Sequence, residues 1–424
     1  MSHVAAPIKP RIVVLGAGFS GMAFCRSFPE GLAQITVIDR QNHHVFQPLL
    51  YQVATAGIAA PDIAQPIRAI LRDKHDLDVI MAEVTGIDFS ARRVTHERGE
   101  LAYDYLVLAV GGRTSYFGHP EWEEHAPGLK TLKDALRIRE RVLRAYEQAE
   151  TEPDPVRKAE LMTTVVVGGG PTGVELAGAF AELSRTVLTR DFDHIDPSTA
   201  RIVLIESGER VLKAFPPDLS ARAAEQLIRL GVEVRTGVRV QEIRAEEVVL
   251  PDTIIRAGTI IWAAGVSASL LARTLGIETD RGGRIVVGTD LSLPGHPEVF
   301  AVGDVAAVTD RHGVEVPGVA QGAVQMGSHV AQMIADEIRG GPRAPKERAP
   351  FGYRDKGSMA TIGRSAAVAR IGSLQFSGWP AWVAWLAVHL LFLVGFRSKV
   401  AVLFSWVYSY STYKRGARII TDGG

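Results

Sequence analysis

At 424 residues the chain is long enough for two or three cores, and its 42 glycines gather in fingerprints rather than in repeats. Lys plus Arg and Asp plus Glu both total 47, so the formal net charge is zero and no basic excess invites nucleic acid. A single cysteine, Cys25, excludes an intrachain disulfide and dithiol chemistry, and residues 1–10 carry no apolar run of the secretory kind.

Residues 11–15 (RIVVL) read as a buried parallel strand running into Gly16, Ala17, Gly18, Phe19, Ser20 and Gly21, with a helix over 22–28. Gly-x-Gly-x-x-Gly means little by itself. Between a strand and a helix, the glycines allow a tight turn and the helix N-terminus holds a pyrophosphate. A second strand, 34–39, ends in Asp39, 18 residues after Gly21, where a ribose hydroxyl is expected; Arg40 follows it. Residues 42–57 are too apolar for a plain surface loop and too broken by proline for one helix. Pro48, Leu49, Tyr51 and Gln52 in this run suit the apolar bed of a flavin ring. His43 and His44 are adjacent, a poor spacing for a shared metal, and are expected to be structural; no metal site is expected. Short strands of a meander follow over 79–94, with Val84 beside the nucleotide. The apolar strand 103–112 ends near Ala109 and Gly111, where the chain returns to the nucleotide, and 113–118 leaves the first domain.

Residues 131–150 read as a charged amphipathic helix with a solvated face. A second strand–turn–helix fingerprint comes next: 163–167, then Gly168, Gly170, Pro171, Thr172 and Gly173. Its acid is Glu206, closing the strand 201–206, 33 residues past Gly173 because of a polar insertion near 191–199. A carboxylate there repels a 2′-phosphate and favours NADH, although Arg210 is a nearby cation that could accept such a phosphate. Glu175 in the first helical turn either complements the helix dipole or contacts a nicotinamide or flavin ring. The strand 259–265 exits at Ala264 and Gly265, paralleling 106–111, so the two halves are built alike.

Strands over 283–287 and 299–304 return to the first domain, and Asp304 after Gly303 is placed to accept from a ribitol hydroxyl. Beyond them, Ala320, Gln321, Gly322, Ala323, Gln325 and Gly327 form a helix start. Gln321 and Gln325, four apart, share one face and carry amides able to donate to a carbonyl without charge. Their small neighbours leave room for a flat ring, so this stretch is expected between a flavin and a quinone pocket. After a Pro-rich linker (341–350), Lys356 leads a small-residue run where a cation could stabilise reduced anionic forms. The tail is distinct: 379–396 has no formally charged side chain and no acid occurs over 378–420. Trp379, Trp382, Trp385 and Trp406, with a basic edge at Lys414, Arg415 and Arg418, suit helices lying in a membrane surface. A spanning helix and a dimer interface are the alternatives.

The fold class expected is α/β, with two Rossmann-like dinucleotide-binding domains and a C-terminal amphipathic helical membrane segment. The FAD domain (8–118 and 276–340) is split by an inserted NADH domain (119–275), and 341–424 carries the anchoring helices. The chain resembles the type II NADH:quinone oxidoreductases, single-subunit alternative NADH dehydrogenases. The most specific matches are 46–57 with its Pro-Leu-Leu-Tyr core, Gly303-Asp304, the stretch 320–327 and 356–360. That resemblance implies noncovalent FAD, NADH as donor, a membrane quinone as acceptor and no proton pumping. It makes Gln321 and Gln325 the quinone-site glutamines, Glu175 the carboxylate after the second glycine motif and Lys356 the flavin-side lysine. It also implies a homodimer held monotopically on the lipid surface, on the cytoplasmic side of the cell inner membrane. A soluble flavin reductase serving a protein partner and an NADH-sensing flavoprotein share the two fingerprints. A sulfide:quinone enzyme needs at least two reactive cysteines and is excluded.

Overall fold

The computed structural model describes residues 9–412 and 417–420. The chain forms two compact units, each assembled from separated stretches. One comprises Met1–His44, Gln65–Arg113 and Val266–Asp355; the other comprises Val45–Ala64, Thr114–Gly265 and Lys356–Gly424.

The first unit is built on a six-stranded sheet in the order Ser292–Leu293, His296–Ala301, Tyr105–Leu108, Arg11–Leu15, Gln34–Asp39, Leu77–Met81. All neighbours are parallel except the short first pair. Continuous apolar runs explain this, because strands covered on both faces need no polar alternation. Val13, Val14, Leu15, Val107 and Leu108 are all buried. The expected meander starts later than the sequence suggests. Leu77–Met81 joins the parallel sheet, and Val84–Asp88, Arg93–His96 and Gly99–Ala102 form the antiparallel ribbon. The helices Phe19–Ser27 and Ala320–Gly340 cross very closely: a side chain on Gly327 would overlap the main-chain oxygen of Ser20. Gly327 therefore makes room for another helix, not for a ring. Arg348 is buried between Glu337 (2.6 Å) and Asp290 (3.0 Å), fastening the Pro-rich linker to this unit.

The second unit has a four-stranded parallel sheet, Val232–Arg235, Ile202–Ile205, Thr164–Val167, Thr259–Trp262, and a three-stranded antiparallel ribbon over residues 242–256. The helix Leu132–Thr151 opens with a capping box: the Thr131 hydroxyl accepts from the Asp134 N–H (3.1 Å) and the Asp134 carboxylate from the Thr131 N–H (2.8 Å). Its inner face (Ala135, Ile138, Val142, Tyr146) is buried, so it is a packed element rather than only a solvated one. The short helix Leu50–Ala54 packs on it and on the helix Pro171–Glu182.

The small-residue run after Lys356 is the first strand of an antiparallel sheet, Ser358–Thr361, Ala367–Ile371 and Leu374–Ser377. Two helices follow, Trp379–Phe392 and Phe396–Thr412. No helix among the described residues is long and apolar enough to cross a membrane. Lys414 and Arg415 lie outside the described residues. The tail tryptophans divide. Trp379 is 62% exposed, but Trp385 (1%) and Trp406 (4%) point inward, so these two are core residues and not surface anchors. Leu391, Phe392, Phe396, Phe404 and Tyr408 remain outside.

Candidate active site

The first unit carries one dinucleotide cradle. A side chain on Gly16 would strike the Ala109 carbonyl at 2.5 Å, and one on Gly21 would overlap the Gly16 oxygen, whereas one on Gly18 would meet open space. Gly18 is the N-cap of the following helix and no side chain caps it, which leaves the first N–H groups for an anion. Asp39 holds the loop in shape. One oxygen accepts from the Ala17 N–H and the other from the Gln41 N–H, both at 2.7 Å. Arg40 is exposed and Val84 partly covered. Ser20 is buried and its hydroxyl reaches the Val302 carbonyl (3.3 Å). Gly303 adopts φ +80° against Ser20, which starts the short turn carrying Asp304. Gly111, at φ +66°, turns the chain back after Ala109. His44 donates its Nδ1–H to the Ala17 carbonyl (2.9 Å), while its buried Nε2 has no partner. Burial holds this ring neutral, so Nε2 is an unused acceptor beside the cradle.

The second unit repeats the construction almost atom for atom. A side chain on Gly168 would strike Ala263 at 2.7 Å, one on Gly173 would overlap the Gly168 oxygen, and one on Gly170 would meet open space. Gly170 is again an uncapped N-cap, with Pro171 and Thr172 opening the helix. Glu206 plays the part of Asp39, accepting from the Gly169 N–H and the Gly208 N–H, each at 2.6 Å. Ala263 is the counterpart of Ala109, a residue missed in the sequence reading, which chose Ala264 and Gly265 just beyond it. Arg210 is committed elsewhere, donating to the Phe215 (2.8 Å) and Lys213 (3.0 Å) carbonyls.

Gln321 and Gln325 do lie on one helical face of the first unit, but they are engaged. The Gln325 amide clasps the Arg354 main chain, donating to its carbonyl and accepting from its N–H, both at 3.0 Å. It donates also to the Gln321 carbonyl (3.2 Å), and the Gln321 amide leans on Asp355 (3.4 Å). Ala320 begins that helix. Glu175 and Lys356 belong to the second unit. Lys356 is exposed, with its ammonium over the Phe392 ring, 5.6 Å from the centroid.

Glu175 faces the Thr361 backbone and the Trp385 indole, and burial pushes its carboxyl up to about 8. The indole N–H stops short of a geometric hydrogen bond. Tyr51 is buried close by, its phenol raised well above the ordinary value by burial and then by the Glu175 charge. Gln52 donates to the Tyr51 oxygen (2.8 Å) and accepts from the Trp406 indole N–H (2.7 Å). Pro48 and Leu49 form the turn leading into this helix, with Leu49 fully buried. Glu182, two turns further along the same helix, accepts from the Arg364 N–H, and the Arg364 side chain donates to the Ser409 carbonyl (2.7 Å). The tail is thus tied by hydrogen bonds to residues around Glu175. Sequence reasoning places Trp385 and Trp406 in the tail without bringing them to Glu175, and carries no signal for Thr361.

These cradles suit two dinucleotides, and the chain's one cysteine, Cys25, is buried, with its thiol pushed up to about 12 by desolvation. Residues 10–327 match the model of the pyridine nucleotide-disulphide oxidoreductases. The chain is similar to two proteins of Mycobacterium tuberculosis. It is 44% identical to the type II NADH:quinone oxidoreductase Ndh, over 98% of this chain and 91% of that protein, and 40% identical to NdhA, over 98% and 90%. In fold it is similar to the structure of NDH2 from Plasmodium falciparum in complex with NADH, with a TM-score of 0.88 at 20% identity, covering 96% of this chain and 99% of that one. Duplicated cradles, a cysteine that cannot act as a dithiol and this near full-length likeness agree: the chain belongs to the type II NADH:quinone oxidoreductase family.

Proposed function

We infer that this chain oxidises NADH and reduces a quinone through bound FAD. The observation that carries the inference is the duplicated cradle, an acid clamping each glycine loop, in a chain so similar to NADH:quinone oxidoreductases. Bound FAD would supply the two-electron relay between NADH and the quinone. The residues present fit it. Gly16, Gly18, Phe19 and Gly21 hold its pyrophosphate, Asp39 with Arg40 its ribose, and Ala109, Gly111, Gly303 and Asp304 its remaining chain. The open space at Gly18 and the unused His44 acceptor support that assignment.

Gly168, Gly170, Pro171, Thr172 and Gly173 hold the NADH pyrophosphate and Glu206 its ribose. Arg210 is spent on its own loop, so it does not offset the Glu206 charge against a 2′-phosphate. Glu175 is protonated at neutral pH and supplies a proton from its carboxyl oxygen as the quinone is reduced. Gln321 offers its amide to the quinone carbonyl, Gln325 positions the 354–355 chain beside it, and Lys356 supplies positive charge near the reacting groups. The outward apolar residues of the tail seat the protein on a lipid surface, facing the cytoplasm, as a homodimer.

A spectrum of the purified protein under anaerobic conditions tests the core of this. Flavin absorbance should bleach with NADH and return with a soluble quinone analogue. Bleaching without return would favour a sensor, and a colourless protein would defeat the reading. For the surface, the variant with Leu403→Glu and Phe404→Glu should lose flotation with liposomes while keeping soluble-quinone turnover; unchanged flotation refutes lipid seating.

A further inference from the structure

Phe117 is the one aromatic residue with a left-handed backbone (φ +51°) among the described residues, and it is 68% exposed. Both features cost free energy: the positive φ crowds the Cβ of a bulky residue, and the ring stays in water. Strain of this kind persists where the surroundings impose it, and such sites cluster at ligand clamps. Here the surroundings are rigid. The Ser115 N–H donates to the Gly265 carbonyl (3.3 Å), and the Trp262 indole N–H donates to the Ser115 carbonyl (2.8 Å). Trp262 itself stacks on Tyr116, centroids 5.6 Å apart, and meets Phe117 edge-on at 6.3 Å. The Phe117 ring lies directly on Gly265, where an added Cβ would come within 2.5 Å of it. A loop braced in this way holds an apolar ring at a fixed place in the open.

That place is defined by the sheet. Gly265 follows the carboxyl end of Thr259–Trp262, which pairs with Thr164–Val167 on the side opposite Ile202–Ile205. Glu206, ending Ile202–Ile205, takes the adenosine ribose, and the glycine loop between the strands takes the pyrophosphate. The other half of the dinucleotide must then run toward Gly265. We propose that Phe117 packs its ring on the nicotinamide riboside half of NADH and so contributes to donor binding. The proposal rests on NADH being the donor, as inferred above.

The test is steady-state turnover of purified holoenzyme with a soluble quinone analogue. Phe117→Ala should raise KM for NADH about tenfold, the size of one lost aromatic stack. Phe117→Tyr should stay near the wild type. The inhibition constant of ADP, which lacks the nicotinamide riboside, should not change in either. Phe117→Gly separates binding from folding: glycine accepts φ +51° freely, so its melting temperature should hold or rise while KM rises as for alanine. An unchanged KM in the alanine and glycine variants overturns the proposal. So does a parallel weakening of ADP, which would place the ring on the adenosine half. If the wild-type holoenzyme does not oxidise NADH at all, the parent inference fails instead.

Discussion

Glu175→Gln gives the sharpest test of the buried carboxyl. Burial raises the Glu175 pKa from 4.5 to about 8, so between those values the native protein keeps a proton that the unfolded chain has released. The native state then binds more protons than the unfolded one, and stability falls as pH rises through that window. Each pH unit of displacement is worth about 1.4 kcal/mol, which sets a ceiling of about 5 kcal/mol above pH 8. Glu175 is only partly covered by surface area, and solvent reaching it lowers the working figure to about 2–3 kcal/mol. Glutamine keeps the shape and never ionises. The variant should therefore match the wild type near pH 4.5 and gain on it steadily to pH 8, reaching about 5 °C or more in melting temperature at roughly 2 °C per kcal/mol. Thermal unfolding of both flavin-loaded proteins across pH 4.5–9 measures this. A melting difference that does not change with pH would refute the burial argument, whatever the variant does to turnover.

Gly327→Ala should destabilise by about 2 kcal/mol despite the better helix propensity of alanine, because its Cβ meets Ser20 main chain that cannot step aside; denaturant unfolding checks it, and a stabilised variant contradicts the close crossing. Trp406→Phe leaves the Gln52 oxygen without its buried donor and should cost about 1–3 kcal/mol; a double-mutant cycle with Gln52→Leu should show coupling between the two. Glu206→Ala releases the Gly169 and Gly208 N–H groups and removes the charge facing a 2′-phosphate. Its KM for NADH should rise about tenfold and the NADH-over-NADPH ratio of kcat/KM should fall; an unaltered ratio would mean that Glu206 does not choose the donor.

Both cradles were legible from the sequence because everything they need is local. A buried strand, glycines at fixed offsets and an acid closing the next strand lie within one short stretch in each half. What lay hidden was long-range. Trp406 and Gln52 are 354 positions apart, and nothing in the aromatic tail says which tryptophans turn inward. Gly327 reads as space for a ring from its local sequence alone, because its real neighbour, Ser20, is distant in sequence. The strand Ser358–Thr361 was unreadable for a different reason: Ser, Met and Ala carry little strand preference, Thr alone favours one, and the pairing with Ala367–Ile371 decides it. Their spacing puts Gln321 and Gln325 on one face, but residue type does not reveal that Gln325 spends its amide on Arg354.

The inward setting of Trp385 and Trp406 has a practical consequence for anyone wanting a water-soluble form. The last two helices are not a detachable keel. Cutting them away would strip Tyr51, Gln52 and Glu175 of their cover and leave a sticky, half-built product. Repainting the outside, at Phe396, Leu403, Phe404 and Val407, would leave the interior joinery untouched.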